Sequence, residues 1–328
     1  MDGFINLLKP AGMTSHDAVW ALRRIFRVKK TGHTGTLDPQ ACGVLCICMG
    51  RATRAVEYLD NEKKAYRCEL TLGQTSDTGD IWGNLLSENF AAAQQITAEE
   101  IRNVLSSFNG TMLQYPPMYS AVKVAGKPLY RYARNGEKID VKPREITVFR
   151  LQPVHILEEP GKVMFDIECS RGTYIRTICE EIGEKLGCGA LMSMLVRTES
   201  GSMNLRDSVT FEEILDAVSE SEGLTPEEIM SSRRDGSLKN DMSRFLTPIE
   251  EMLPSFGRIE LSKEDFRKFV NGGKISGRSA EIAEPNTEPS DSRFRNTYRI
   301  YGPDKAFIGT AERNPVNGVL TADKVFFR

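Results

Sequence analysis

The sequence predicts an α+β protein, with a mixed, mostly antiparallel central sheet flanked by helices and a small β-rich domain after it. Three observations carry this expectation. Some segments alternate apolar and polar residues, the period of a half-buried strand, while others repeat apolar residues every three or four positions, the period of a helix. The two kinds follow one another without regular strand, helix, strand alternation and without an internal repeat. From about Pro254 onward the chain becomes short-strand material punctuated by Gly272-Gly273, Gly277, Gly302-Pro303 and Gly309.

Taken in order, Ser15 can cap a helix carried by Ala18, Val19, Leu22, Ile25 and Phe26, with Arg23, Arg24 and Arg27 largely on other faces. Tyr66, Cys68, Leu70 and Leu72 alternate with more polar residues, as do Val163, Phe165, Ile167 and Cys169, and both read as half-buried strands. Thr97 and Glu100 form a capping box before Ile101, Val104, Leu105 and Phe108, and Asn109-Gly110 closes that helix. Ile175, Ile178, Ile182 and Leu186 make another, ended by Gly187. Near residue 220 the composition changes. Glu220-Ser221-Glu222-Gly223 and Ser231 to Ser237 read as exposed or loosely ordered, which divides the chain into domains of residues 1–250 and 254–328. Residues 280–293, rich in Glu, Pro and Ser, read as an exposed loop within the second.

With 328 residues, 40% of them hydrophobic, the chain can bury a large core. No apolar run approaches the roughly 20 residues that span a bilayer, and no secretory signal opens the chain, so a cytoplasmic protein is expected. Seven scattered cysteines among apolar neighbours suggest reduced core packing, and no histidine or second cysteine pair stands at metal-ligand spacing. The net charge of −2 conceals an asymmetry. Residues 211–260 hold 5 Lys and Arg against 12 Asp and Glu, so the rest of the chain is basic. Residues 123–150 carry 8 basic against 3 acidic side chains with Tyr130, Tyr132 and Phe149 interleaved, and residues 1–30 carry 6 against 2. Cations with aromatics suit phosphate contact and base stacking, although a solvated charged face has the same composition.

The segment Gly32-His33-Thr34-Gly35-Thr36-Leu37-Asp38-Pro39 surrounds one carboxylate with turn formers, hydroxyls and one of three histidines. Gly32 and Gly35 allow backbone geometry that residues with a Cβ resist, and Pro39 directs the chain after the acid. This loop resembles the catalytic motif of the TruB family of tRNA pseudouridine synthases. Other blocks in the first 200 or so residues resemble the same family: Leu8-Lys9-Pro10-Ala11-Gly12-Met13-Thr14-Ser15, Lys64-Ala65-Tyr66-Arg67 with Leu72-Gly73-Gln74-Thr75-Ser76-Asp77-Thr78-Gly79-Asp80, Pro116-Pro117-Met118-Tyr119-Ser120-Ala121-Val122-Lys123, and Ser170-Arg171-Gly172-Thr173-Tyr174-Ile175-Arg176-Thr177. Phe266, Phe269 and Val270 before Asn271-Gly272-Gly273 resemble the opening of a PUA-type RNA-binding domain.

The resemblance implies a pseudouridine-synthase fold, a PUA-like C-terminal domain, and conversion of uridine 55 in the tRNA T-loop to pseudouridine by base flipping. No cofactor and no metal are implied. Asp38 is the implied nucleophile or base. Attack at C1′, attack at C6 and removal of the C2′ proton all use a carboxylate in a site that keeps water out. Arg176 is carried over as its cationic partner, Tyr66 as the residue stacking on the base, His33 as the one associated with flipping, and Leu195 as apolar packing on the uracil. Tyr174 joins these as a substrate contact. Lys9, Pro10, Gly35 and Thr36 support the loop, with a phosphate contact as the alternative for Lys9. Val196 stands where many relatives have a second arginine beside Arg197. The stretch 73–135 resembles an insertion that grips the T-stem and loop of tRNA, and a monomer with no obligate protein partner and no membrane contact is expected. Two other roles fit the basic surface: a tRNA-folding chaperone, and a guide-dependent synthase acting on ribosomal RNA.

Overall fold

The computed structural model describes residues 1–59, 63–137, 139–156, 161–231, 238, 241–276, 281–285, 287–289 and 291–326. The main sheet contains β1 (Gly3–Lys9), β2 (Thr31–His33), β3 (Cys42–Met49), β4 (Lys64–Leu72), β5 (Gly110–Gln114), β6 (Arg144–Ile156), β7 (Lys162–Cys169), β8 (Ala190–Ser200) and β9 (Met203–Asn204). Its order is β1-β3-β8-β4-β7-β6-β5, with β2 paired to β3 and β9 to β8. β8 runs parallel to β3, and the other pairings are antiparallel. The expected mixed, mostly antiparallel sheet is therefore present. Tyr66, Cys68, Leu70 and Leu72 all point from β4 into the core, and Val163, Phe165, Ile167 and Cys169 do the same from β7. Each such large apolar side chain contributes about 1.5–3 kcal/mol by leaving water.

Among the described residues four helices of nine residues or more flank this sheet: α1 (Ser15–Ile25), α2 (Ala98–Ser106), α3 (Ile175–Lys185) and α4 (Phe211–Glu222). Their apolar residues, among them Leu22, Ile25, Leu105, Ile178, Ile182 and Ile214, join one core cluster with the strands. The cap of α1 is Thr14, not Ser15: Thr14 and Asp17 make a reciprocal capping box. Ser15 is unavailable because its hydroxyl is bonded elsewhere, to Leu37. The capping box of Thr97 and Glu100 forms as expected, and where α2 ends at Ser106 the Asn109 side-chain amide donates to the Ser106 carbonyl at 3.1 Å while its oxygen accepts from the Leu151 amide.

Residues 220–222 are not loose. They are the last turn of α4, closed by Gly223 at φ 66, and Glu222 is buried against Arg27 at 2.9 Å. An apolar stripe and a buried ion pair thus outweigh a polar composition. Residues 232–237 lie outside the described residues. Within 73–135, α2 packs on the core and β5 extends the main sheet, so the parts that stand off it are the hairpin of Gln74–Ser76 with Leu85–Glu88 and the segment from 115 to 135. The described cysteines are all free thiols, six of them buried.

The C-terminal part forms a small β-rich, PUA-like sheet of β10 (Gly257–Glu260), β11 (Ile275–Ser276), β12 (Glu281–Ala283), β13 (Thr297–Tyr301), β14 (Phe307–Arg313) and β15 (Val319–Val325), in the order β11-β15-β14-β13-β10-β12. Helix α5 (Lys263–Val270) packs Phe269 onto it. The expected loop at 280–293 is partly wrong: β12 pairs with β10, and Asp291 is buried. Edge pairing satisfies backbone groups whatever the side-chain composition. A shared cluster, including Phe4, Val44, Tyr58, Phe256 and Phe326, joins the back of the main sheet to this unit. Among the described residues no helix is long and apolar enough to cross a membrane.

Candidate active site

Asp38 sits on the loop between β2 and β3, and the carbonyls around it are tied down one after another. Arg197 Nη2 donates to the Gly35 carbonyl at 3.1 Å and Nη1 to that of Thr36 at 3.2 Å. The Ser15 hydroxyl donates to the Leu37 carbonyl at 2.9 Å and accepts from the Leu37 amide at 2.8 Å. The Ala41 amide donates to the Asp38 carbonyl, and the Gly12 amide to that of Pro39. Lys9 Nζ also reaches the Pro39 carbonyl at 3.1 Å, along with those of Pro10 and Met13 at 2.7 Å. A loop with five consecutive carbonyls engaged has little freedom left, which is how a reactive side chain is held ready.

The glycines act differently from the expectation. Neither Gly32 nor Gly35 has a positive φ. Each instead allows close approach: a Cβ on Gly32 would lie 3.2 Å from Cys48 Sγ, and one on Gly35 3.1 Å from Lys64 Cε. The left-handed glycine of this region is Gly43, at φ 107, packed on the backbone of Arg197 where β3 and β8 pair.

Arg176 brings the carboxylate its partner. Its Nε lies 3.0 Å from Asp38 Oδ2 and 3.9 Å from Asp80 Oδ2. Nη1 donates to the Thr78 carbonyl at 2.8 Å and Nη2 to that of Tyr119 at 3.0 Å. This arginine, 6% exposed, thus clamps three separate segments on one guanidinium. Around the pair opens a cleft of about 180 Å³ lined by Asp38, Thr78, Asp80, Trp82, Tyr119 and Arg176 among others. A larger cavity of about 430 Å³ lies near Leu72 and Ile156, but among the described residues Lys162 is the one charged residue that lines it, so chemistry and not size selects the smaller cleft. Asp38 itself is 40% exposed. The dry site expected from the sequence is therefore not complete among the described residues, none of which covers the mouth of the cleft.

The other candidates fall around this pair, not in it. Tyr66, 8% exposed, and Leu195 are buried side chains of β4 and β8 that do not line the cleft. Burial pushes the Tyr66 pKa up, against the pull of the neighbouring Arg197 charge. His33 ends β2, half-buried; burial, then the charges of Arg197 and His16, pull its pKa down, and its Nδ1 is buried without a hydrogen-bond partner. Tyr174 caps α3 through its backbone, which exchanges hydrogen bonds with the Gln114 side chain. Lys9 is fully buried, which removes the phosphate alternative; burial lowers its pKa to about 8, so the ammonium still predominates at pH 7.

Arg197 and Asp80 stand in stretches that resemble the family, but the sequence alone assigned neither a place in the site. Arg197 is 1% exposed, and besides the loop carbonyls it donates to the Val44 carbonyl at 2.7 Å. An arginine inside an apolar strand run, Leu195-Val196-Arg197, was the available signal, since such a residue is almost never buried without partners. Asp80 accepts from Thr78 Oγ1 and the Trp82 amide, which turns it toward Arg176. Among the described residues no group of His, Cys, Asp and Glu is arranged to hold a metal.

Residues 23–175 match the family described as TruB family pseudouridylate synthase (N terminal domain), and residues 176–254 match the tRNA pseudouridylate synthase B C-terminal domain. The chain is 37% identical over 314 residues to tRNA pseudouridine synthase B of Clostridium perfringens, covering 96% of each chain. It is 38% identical over 333 residues to the protein of the same name from Clostridioides difficile, covering 99% of this chain and all of the other. In fold it is similar to a chain of a Cbf5-Nop10-Gar1 complex, with a TM-score of 0.69 at 23% identity, covering 99% of this chain and 85% of that one. A clamped aspartate and arginine at the mouth of a cleft, and relatives alike over nearly the whole length, lead to one conclusion: the chain belongs to the TruB family of pseudouridylate synthases.

Proposed function

We propose that this protein converts uridine 55 in the T-loop of tRNA to pseudouridine, with Asp38 as the catalytic carboxylate. The observation that carries this is the ion pair of Asp38 with Arg176 at 3.0 Å, at the mouth of a cleft whose loop is held by its own carbonyls. The isomerisation breaks the bond from N1 to C1′, turns the uracil, and forms a bond from C5 to C1′, with a proton lost from C5 and one gained at N1. Atoms and electrons balance without a cofactor. Asp38 acts at C1′, at C6 or on the C2′ proton, and Arg176 holds its carboxylate in place for any of these.

The exposed mouth has a natural explanation in this reading. Substrate RNA closes the cleft, so water is excluded when the everted base is present. Tyr66 and Leu195 then meet the uracil from the β4 and β8 side, Tyr174 lies against the RNA at the start of α3, and His33, neutral near pH 7, takes the place the base vacates. Lys9, Pro10, Gly35 and Thr36 keep the loop in position. The hairpin around residues 74–88 and the segment from 115 to 135 grip the T-stem and loop, and the C-terminal unit extends the RNA contact. The protein works as a cytoplasmic monomer. A map of pseudouridine in unmodified tRNA treated with the protein tests this: modification confined to position 55 is expected, and Asp38→Asn is expected to bind tRNA within a few-fold of wild type while forming no product. Normal turnover by that variant overturns the assignment.

A further inference from the structure

Helix α1 starts at the catalytic loop and leads away from it for about 16 Å. Its first residue, Ser15, holds Leu37, and Ala18, Val19, Ala21, Leu22 and Ile25 face the core. The other side carries His16, Trp20 and Arg23 at spacings of four and three, one continuous exposed stripe. Trp20 is 46% exposed, yet its ring is not loose: the Arg24 guanidinium lies 4.8 Å from the ring centroid and is itself tied to the Ser231 carbonyl at 3.1 Å. Beyond α1 the chain turns at Arg27, with φ 55, and returns along β2 toward Asp38, with Arg23 bonded to the Thr31 carbonyl at 3.3 Å. Lys30 is therefore exposed on the same lobe. Between Asp17 and Asp38 there are five Lys and Arg and no Asp or Glu, and Arg27 is neutralised by Glu222.

We infer that this stripe is a second RNA-binding surface, on which the substrate strand next to the everted nucleotide stacks a base on Trp20 and sets phosphates against Arg23 and Lys30. The inference rests on tRNA being the substrate. A protein partner would need a patch of several apolar side chains, and on the exposed face of α1 the large one is Trp20 alone, with Arg23 and Arg24 after it and Asp17, bonded to Thr14, a turn before it. RNA matches both features: every base offers a π-face, and the phosphates match the cations. Trp20, Arg23 and Lys30 are exposed, and the contacts they make, Arg23 with the Thr31 carbonyl and Trp20 with Arg24, are surface contacts, so their variants are expected to stay folded.

The test measures binding of unmodified tRNA by wild type, Trp20→Ala, Trp20→Phe and the double variant Arg23→Gln/Lys30→Gln over a range of salt, with pseudouridine formation assayed in parallel. Trp20→Ala is expected to weaken binding about 10- to 100-fold with an unchanged salt slope, and Trp20→Phe to recover most of it. The double variant is expected to reduce the slope of log affinity against log salt by about 1.4 to 1.8, the loss of two phosphate contacts. Wild-type affinity and slope in Trp20→Ala and the double variant, while wild type still makes pseudouridine, overturn this surface and leave the catalytic assignment standing. Absence of pseudouridine in tRNA treated with wild type overturns the catalytic assignment first and the inference with it.

Discussion

Arg197 and His33 show how much of the site depends on side chains that never touch the cleft. Arg197→Met removes the donors for the carbonyls of Gly35, Thr36 and Val44, leaving buried acceptors unmet. It is expected to cost about 2–3 kcal/mol in urea unfolding and, by loosening the Asp38 loop, to lower the single-turnover rate by about 100-fold. A wild-type melting curve would count against the bracing role. For His33 the sign follows from its lowered pKa. As pH falls through the ordinary value of 6.5, the unfolded chain takes up a proton that the folded chain resists, so stability drops on acidification and levels off above that pH. His33→Asn is expected to flatten that part of the profile of urea midpoint against pH, and an unchanged profile would place the titration elsewhere.

At the scale of elements, the parallel contact of β3 with β8 carries the most constraint. Gly43 combines a φ of 107 with backbone contact, since a Cβ there would overlap the Arg197 carbonyl and lie 2.8 Å from its amide nitrogen. Gly12, at φ 85, has nothing within 4 Å of the same position. Gly43→Ala is expected to destabilise by about 3 kcal/mol or more and Gly12→Ala by about 1–2 kcal/mol, because the second meets only backbone strain. Equal losses in thermal unfolding of the two variants would show that φ and not packing governs Gly43. The same strand contact brings Arg197 under the loop, so the register of β3 and β8 is part of the site.

Across the whole molecule, Tyr58 links the two sheets. Its hydroxyl bonds to Asp323 and, at 2.7 Å, to Thr310, while its ring meets Phe256 and Phe294 edge-on at 5.1 and 5.0 Å. Burial pushes its pKa far up, so it serves as a neutral donor. Tyr58→Phe keeps the ring and removes the donor. It is expected to cost about 1–2 kcal/mol and to speed amide hydrogen exchange in β14 and β15 while leaving β4 and β7 protected. Uniform acceleration throughout would mean that the two sheets unfold as a single unit.

Much was legible in the chain itself. Alternation in 66–72 and 163–169, the capping box at Thr97, and helical spacing from Ile175 to Ile182 are local signals, and local signals survive in any context that buries one face. Asp38 and Arg176 could be paired through a family resemblance, although 138 positions apart, but their spacing carries no distance information. Only the tertiary structure decided that Ser15 holds Leu37 instead of capping α1, that Glu222 is buried, that Gly35 serves close approach, and that Arg197 underlies the loop. The physical reason is the same in each case. Periodicity and turn chemistry act over a few residues, whereas a hydrogen bond or ion pair in the interior goes to whichever segment the packing brings within about 3 Å.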